Sequence, residues 1–165
     1  VNLSVEEMIK QMDAFALPKY RDTIVLKEGV ADYLKLLREN GCSVNVLTAS
    51  PHKMVDICLK RNGIFHLFDH VFTCDDFGLT KSDVRIYEEA VRRIGAEMSR
   101  TAFFDDNINA IRTAAKAGLF TVGVYDKSGE EFEEQMKEAA DVYVKSFAGL
   151  SAHTFESLYL QLKQC

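Results

Sequence analysis

Three short stretches of this sequence carry side chains whose types and spacing suit an anion and a hard metal ion held side by side. In Thr48-Ala49-Ser50-Pro51 a hydroxyl closes an apolar run, and the amides that follow belong to a helix start fixed by proline. Such a turn can hold a phosphate oxygen by one hydroxyl and one or two N–H groups, helped by the helix dipole. Capping alone would account for Ser50 and Pro51 but would leave Thr48 without a role. Lys81, in Phe77-Gly78-Leu79-Thr80-Lys81-Ser82-Asp83, stands just ahead of a helix. A lone loop lysine is ordinarily solvated and gains meaning only with partners. Asp105-Asp106 directly follows the apolar run Thr101 to Phe104 and precedes a helix opened by Asn107. Adjacent carboxylates at a buried strand tip repel one another unless a cation or hydrogen-bond donors compensate. A divalent cation with oxygen ligands, Mg²⁺, is the natural compensator. The purely structural alternative makes Asp106 an N-cap and leaves Asp105 solvated. Asp75-Asp76 also follows a strand but leads into a loop, and reads as surface or as support to the site.

The elements that must position these residues follow from periodicity. Val5, Met8, Ile9, Met12 and Ala16 keep helical spacing behind Ser4, with Glu7 completing a capping box and Pro18 near the end. Val30, Tyr33, Leu34 and Leu37 keep one face of a second helix, which Asn40-Gly41 stops. Thereafter strands and helices alternate. Ser43 to Thr48 is a strand and Ser50-Pro51 opens a helix reaching Asn62-Gly63; His70 to Thr73 is a strand and Asp83 caps a helix bearing Tyr87, Ala90, Val91 and Ile94. Thr101 to Phe104 is a third strand, with a helix through Ile108, Ile111 and Ala115 to Gly118; Phe120 to Val124 is a fourth. Ser128 with Glu131 is expected to cap the next helix, Asp141 to Val144 forms a fifth strand, and residues 152–162 a last helix. Alternation at this spacing predicts an α/β fold, a doubly wound parallel sheet covered on both faces. Ligands of such sheets gather beyond the carboxyl ends of the strands, where Thr48 and Asp105 fall.

With 165 residues, 47% hydrophobic and 27% charged, the chain can bury a core of its own. The net charge of −5 is spread over interspersed acids and bases, which excludes a basic stripe for nucleic acid or an anionic membrane. Cys42, Cys58, Cys74 and Cys165 occur singly and suit a reducing, cytoplasmic setting. No apolar run approaches a membrane span and no signal segment opens the chain. His66 and His70 have helical spacing but flank the start of a strand, so a metal role is not assigned to them; His52 and His153 show no partners in the sequence. The Glu130, Glu131, Glu133 and Glu134 run reads as a solvated face at a helix start.

A hydroxyl, a lysine and an acidic pair, in that order on successive strand tips, resemble the phosphate and metal motifs of the haloacid dehalogenase superfamily. The words Val46-Leu47-Thr48-Ala49-Ser50-Pro51 and Phe103-Phe104-Asp105-Asp106-Asn107, leading to Ala117-Gly118, carry the resemblance from about Leu26 to Val144. It is strongest to the branch holding β-phosphoglucomutase and phosphoglycolate phosphatase. The resemblance implies a Rossmann-like core over 26–165 and a remnant of a helical cap with its linker over 1–25. It implies a Mg²⁺-dependent phosphatase of small phosphorylated metabolites, acting through an aspartyl-phosphate. Thr48 and Ala49 would bind the phosphate, Lys81 would bind it and serve catalysis, Asp105 would be catalytic, and Asp105 with Asp106 would hold Mg²⁺. One departure is Ser82 after the lysine, where the family often has proline.

A larger departure is the family's first motif, Asp-x-Asp-Gly-Thr at the end of an apolar strand, which these 165 residues do not contain. Its first Asp is the family's nucleophile, and its strand lies mid-sheet, between those ending at Thr48 and Phe104. Without it two strand edges would stand unpaired inside the protein and the chain alone should fold poorly. The expectation is therefore that an N-terminal segment of the same protein completes the sheet. A sugar-phosphate mutase of the same family stays open, as does an inactive phosphate-binding domain. A receiver-like signalling domain has the same residue types, but with its acids ahead of the hydroxyl and lysine.

Overall fold

The computed structural model describes residues 3–150, and the expected last helix, His153 and Cys165 lie outside them. Helix α1, Val5–Asp22, starts from the expected capping box between Ser4 and Glu7. It does not end near Pro18 but runs on through it for another turn. Pro18 forfeits one main-chain bond, and the turn beyond it is held from outside, where the Tyr20 hydroxyl meets the Ser50 hydroxyl at 2.6 Å. Asp13, Ala16, Leu17 and Tyr20 form the half-buried stripe of α1, and Lys53 of α3 is paired with Asp13. On the other side Val5, Met8, Ile9, Met12 and Phe15 are exposed.

Helix α2, Val30–Glu39, begins at Gly29, whose φ of 80° only glycine adopts cheaply. A side chain there would also strike the neighbouring segment, since a Cβ would lie 2.3 Å from the Ala148 nitrogen. Strand β1, Asn45–Thr48, and strand β2, His70–Thr73, run parallel in the register Asn45 to His70 through Thr48 to Thr73. Helix α3, His52–Arg61, connects them and takes Pro51, not Ser50, as its N-cap residue. Asp83 caps α4, Val84–Arg93, by accepting from the Arg85 amide.

Strand β3, Ala102–Asp105, is followed by α5, Ile108–Lys116, and β4, Phe120–Val124. Short 3₁₀ turns through Lys127–Phe132 lead to α6, Glu133–Ala139, and β5, Val142–Val144. The expected Ser128 and Glu131 cap is not formed: Asp126 caps this segment instead, accepting from the Ser128 amide at 2.9 Å. Aspartate in the extended conformation just before the turn reaches that amide first. Nor is the glutamate run wholly solvated, because Glu133 is held by Lys137 at 2.9 Å and Lys145 at 2.7 Å.

All strand pairs are parallel, as the alternation predicts, and the architecture is Rossmann-like α/β. The strands nevertheless form two sheets, β1-β2 and β3-β4-β5, with no ladder joining β1 to β3. They share a core all the same: Ile86, Tyr87, Val91, Ala114 and Leu119 are buried together, with Leu47 of β1 and Phe103 of β3 packed on them. Fully burying a side chain such as Ile86 contributes about 1.5–3 kcal/mol, so this cluster holds α4 and α5 against the strands. A second cluster of Val122, Val124 and Val144 is closed by Phe104 and Phe147. Tyr33 of α2 packs at a tilt against those rings, its centroid 5.4 Å from that of Phe147 and 6.1 Å from that of Phe104.

Candidate active site

Asp105 is the last residue of β3, so its carboxylate leaves the carboxyl edge of the three-stranded sheet. Its side chain is 8% exposed, and a carboxylate so enclosed needs donors. It has two: Lys81 Nζ donates to Oδ2 at 2.6 Å, and the Asn107 amide donates to Oδ1 at 2.8 Å. Lys81 and Asp105, read from sequence as parts of one site, are therefore brought into direct contact. The ammonium also lies 5.6 Å from the Phe103 ring centroid, on the face of β3 that packs into the core.

Lys81 is placed by a residue that periodicity reveals only as apolar. Tyr87, 1% exposed on α4, points its hydroxyl at the Lys81 carbonyl at 2.8 Å and at the Ala110 carbonyl at 3.2 Å. Its ring stands edge-on to Phe103 with centroids 5.0 Å apart. A buried phenol must find an acceptor, and this one finds the main chain of the loop that carries the lysine. Burial first, then the nearby Asp105 charge, pushes the Tyr87 phenol well above its usual range. It stays a neutral donor. The signal was available in the sequence as a tyrosine, not a phenylalanine, at a core position.

Asp106 does not cap α5. Asn107 does, accepting from the amides of Asn109 at 2.9 Å and Ala110 at 3.2 Å. The Asp106 side chain is half-exposed, and Lys27 stands 3.9 Å from it. Burial, then the adjoining Asp105, holds its carboxyl above the ordinary value; Lys27 opposes this and Asp126 adds to it. Lys27 is itself gripped by Asp126 and donates to the Tyr125 carbonyl at 3.0 Å. These two residues at the tip of β4 and ahead of α2 were not singled out from sequence, because their approach depends on the sheet.

The chemistry of this donor set fits a divalent cation in part. The Asp106 carboxyl, held above its ordinary value by burial and by Asp105, is one that a further positive charge would relieve, and each oxygen of Asp105 retains a lone pair. Among the described residues no group of three side chains of the metal-binding types is gathered. Two carboxylates are nonetheless what Mg²⁺ commonly takes from a protein, with water and phosphate oxygens completing its octahedron.

Thr48 ends β1, and its Oγ1 accepts from the Ser50 amide at 3.1 Å. Ala49 occupies the turn between them and is exposed. Thr48 ends β1 and Asp105 ends β3, in different sheets, and among the described residues no hydrogen bond links Thr48 to the Lys81 and Asp105 pair. Nearby, His52 finds partners after all, its Nδ1 3.2 Å from Asp56 and its Nε2 3.0 Å from Asp76. Asp76 in turn accepts from the amide and hydroxyl of the buried Thr73, at 2.7 and 3.0 Å. His66 lies in a 3₁₀ turn and His70 in β2, so they share no helix face.

Residues 3–118 match the family model of haloacid dehalogenase-like hydrolases. The chain is 28% identical over 121 residues to validoxylamine A 7'-phosphate phosphatase of Streptomyces hygroscopicus subsp. limoneus, covering 73% of this chain and 57% of that protein. It is 30% identical over 119 residues to pyrophosphatase PpaX of Bacillus velezensis, covering 72% of this chain and 55% of the relative. The chain thus spans little more than half the length of these relatives. A crystal structure of β-phosphoglucomutase from Clostridium difficile superposes with a TM-score of 0.79 at 18% identity, over 99% of this chain and 71% of that one. At that identity the likeness concerns the fold.

Proposed function

The chain belongs to the haloacid dehalogenase-like hydrolases, and from that premise we propose that it carries most of the phosphate and metal site of a Mg²⁺-dependent phosphomonoester hydrolase. The observation that carries this reading is the enclosed ion pair of Lys81 and Asp105 with Asp106 beside it. Phosphoryl transfer needs little from a protein except position and charge, and these residues offer both. The Thr48 hydroxyl and the Ala49 amide are suited to hold phosphate oxygens. The Lys81 ammonium, already fixed by Asp105 and through its carbonyl by Tyr87, offsets the negative charge of the transferring group. Asp105 and Asp106 would hold Mg²⁺, which when bound adds positive charge against the phosphate oxygens.

The nucleophile is, in this reading, an aspartate on an N-terminal segment outside these 165 residues. Its carboxylate oxygen forms a bond to phosphorus as the ester P–O bond breaks and the alcohol leaves; water then cleaves the acyl phosphate and releases inorganic phosphate. The split between β1 and β3 supports the place of that segment, since one further parallel strand there would join the two sheets. The Oδ1 of Asn45, on β1, is buried without a donor among the described residues, as suits an incomplete sheet. The exposed apolar stripe of α1 supports the division into a cap remnant over 1–25 and a core over 26–165. The substrate class we assign is a small phosphorylated metabolite. Cys42, Cys58 and Cys74 are unbridged, which suits the reducing cytoplasm, and no helix among the described residues is long and apolar enough to cross a membrane.

The test is phosphate release by the full-length gene product from a panel of phosphorylated metabolites and p-nitrophenyl phosphate. Hydrolysis that EDTA abolishes, Mg²⁺ restores and Asp105→Asn lowers on the order of a hundredfold or more is expected. Release indifferent to both EDTA and the substitution would overturn the reading.

A further inference from the structure

Among the described residues, Tyr20 is the one side chain of α1 hydrogen-bonded to the turn at the end of β1. Its hydroxyl lies 2.6 Å from Ser50 Oγ, and Ser50 donates its amide to Thr48 Oγ1 at 3.1 Å. The position is fixed from both ends of α3. Near its start Lys53 pairs with Asp13, at the far end of the same stripe of α1, about two turns before Tyr20. At its far end Arg61 and Asn62 both donate to the Ile24 carbonyl, just past α1, the latter at 3.2 Å. The segment that carries this phenol cannot move off α3 as a body without undoing contacts at residues 13 and 24.

The direction of these bonds matters for an anion. A hydroxyl has one proton and two lone pairs. Thr48 Oγ1 accepts from an amide, so its own proton is unspent. Between Tyr20 and Ser50 the phenol is the stronger donor, and when it donates, the Ser50 proton is likewise free. Both hydroxyls of the turn then face outward as donors, as a phosphate oxygen requires, and each is oriented by a bond on its other side.

We propose that Tyr20 is a positioning residue for the phosphate site, acting through Ser50: its hydroxyl fixes the Ser50 hydroxyl as a donor to substrate phosphate. The inference rests on the phosphatase reading above and extends it to a residue outside the core motifs. Because a bond from Ser50 would hold phosphate equally before and during reaction, its loss appears in KM with kcat little changed.

The experiment uses the full-length protein with p-nitrophenyl phosphate, and inorganic phosphate as a competing ligand. Tyr20→Phe is expected to raise KM and the inhibition constant of phosphate by about two- to tenfold, the worth of one neutral hydrogen bond, with kcat within about twofold and an unchanged urea midpoint. Ser50→Ala should do the same, and adding Tyr20→Phe to it should change nothing further, since the phenol then has nothing to orient. If Tyr20→Phe leaves KM unaltered, or its effect persists undiminished in the Ser50→Ala background, the proposal is overturned while the wild-type turnover keeps the phosphatase reading intact. If the wild type neither hydrolyses the ester nor binds phosphate, the phosphatase reading fails and the role of Tyr20 falls with it.

Discussion

Lys81 and Asp105, 24 residues apart in the chain, meet in a 2.6 Å ion pair at the carboxyl edge of β3. The pair neutralises an enclosed carboxylate and, in the reading proposed above, fixes an ammonium for the phosphoryl group. Lys81→Met keeps the stem and removes the charge. It should lower turnover on the order of 10²–10³-fold and cost roughly 1–3 kcal/mol of stability, because Asp105 loses its strongest donor. Initial rates and urea unfolding read the two effects separately, and near-normal turnover would remove Lys81 from the site.

Tyr87 anchors the loop beneath that lysine. In Tyr87→Phe the ring still packs on Phe103, but the carbonyls of Lys81 and Ala110 lose their shared donor. We expect about 1–2 kcal/mol of lost stability and a fall in kcat larger than any change in KM, since the lysine it places acts in the transition state. A variant with unchanged kcat and lowered stability would confine Tyr87 to packing.

His52 faces a carboxylate from each ring nitrogen, Asp56 on one side and Asp76 on the other, an arrangement only the imidazolium satisfies in full. The bond to Asp56 above all, then the bond and charge of Asp76 and the charge of Asp56, raise its pKa above the ordinary 6.5, against a burial cost larger than either Asp76 contribution. A raised folded-state value means the stabilisation is complete below pH 6.5 and drains away as pH climbs through the folded value. The side chain is 46% exposed, so the amount is below about 1 kcal/mol. Melting temperature should therefore decline between about pH 6.5 and 8, and His52→Gln should flatten that slope. An equal slope in both proteins would assign it elsewhere.

Gly29→Ala tests the joint between the α1 segment and the α/β body. The backbone there has φ 80°, and the new methyl would sit 2.3 Å from the Ala148 nitrogen and 2.4 Å from the Phe147 carbonyl carbon. Both must shift, and with them the Phe147 ring that packs against Tyr33. A loss of roughly 2 kcal/mol or more is expected on equilibrium unfolding; a tolerated alanine would mean that residues 147–148 move aside freely.

The periodic elements were legible because their signals are local: the Ser4 and Glu7 box, Asp83 ahead of α4 and Gly41 after α2 each act within one turn. Thr48, Lys81 and the acidic pair could be read as candidates because strand tips gather ligands. Their meeting could not, since the Lys81 and Asp105 contact depends on where separate strands lie. The misreadings have the same origin. Pro18 was expected to end α1, but a contact 30 residues away along the chain, Tyr20 to Ser50, sustains the turn after it. His52 had one partner within reach of the linear sequence, Asp56 four residues on in the same helix, which went unread; Asp76, in the turn after β2, is brought to it only by the fold. At Asp126 the error was local: the cap lies two residues earlier than expected, and Ser128 gives both its amide and its hydroxyl to the Asp126 carboxylate.

Among the described residues, dividing the strands between two sheets leaves lateral edges on β1, β2, β3 and β5, four where a continuous five-stranded sheet would have two. An unpaired edge is a row of N–H and C=O groups that any extended chain can join. Synthesised by itself, this polypeptide should therefore be colloidally unstable, sedimenting as concentration-dependent oligomers and holding amyloid-sensitive dyes. A peptide able to enter between β1 and β3 would act as an intramolecular chaperone, and solubility would become a direct readout of its binding.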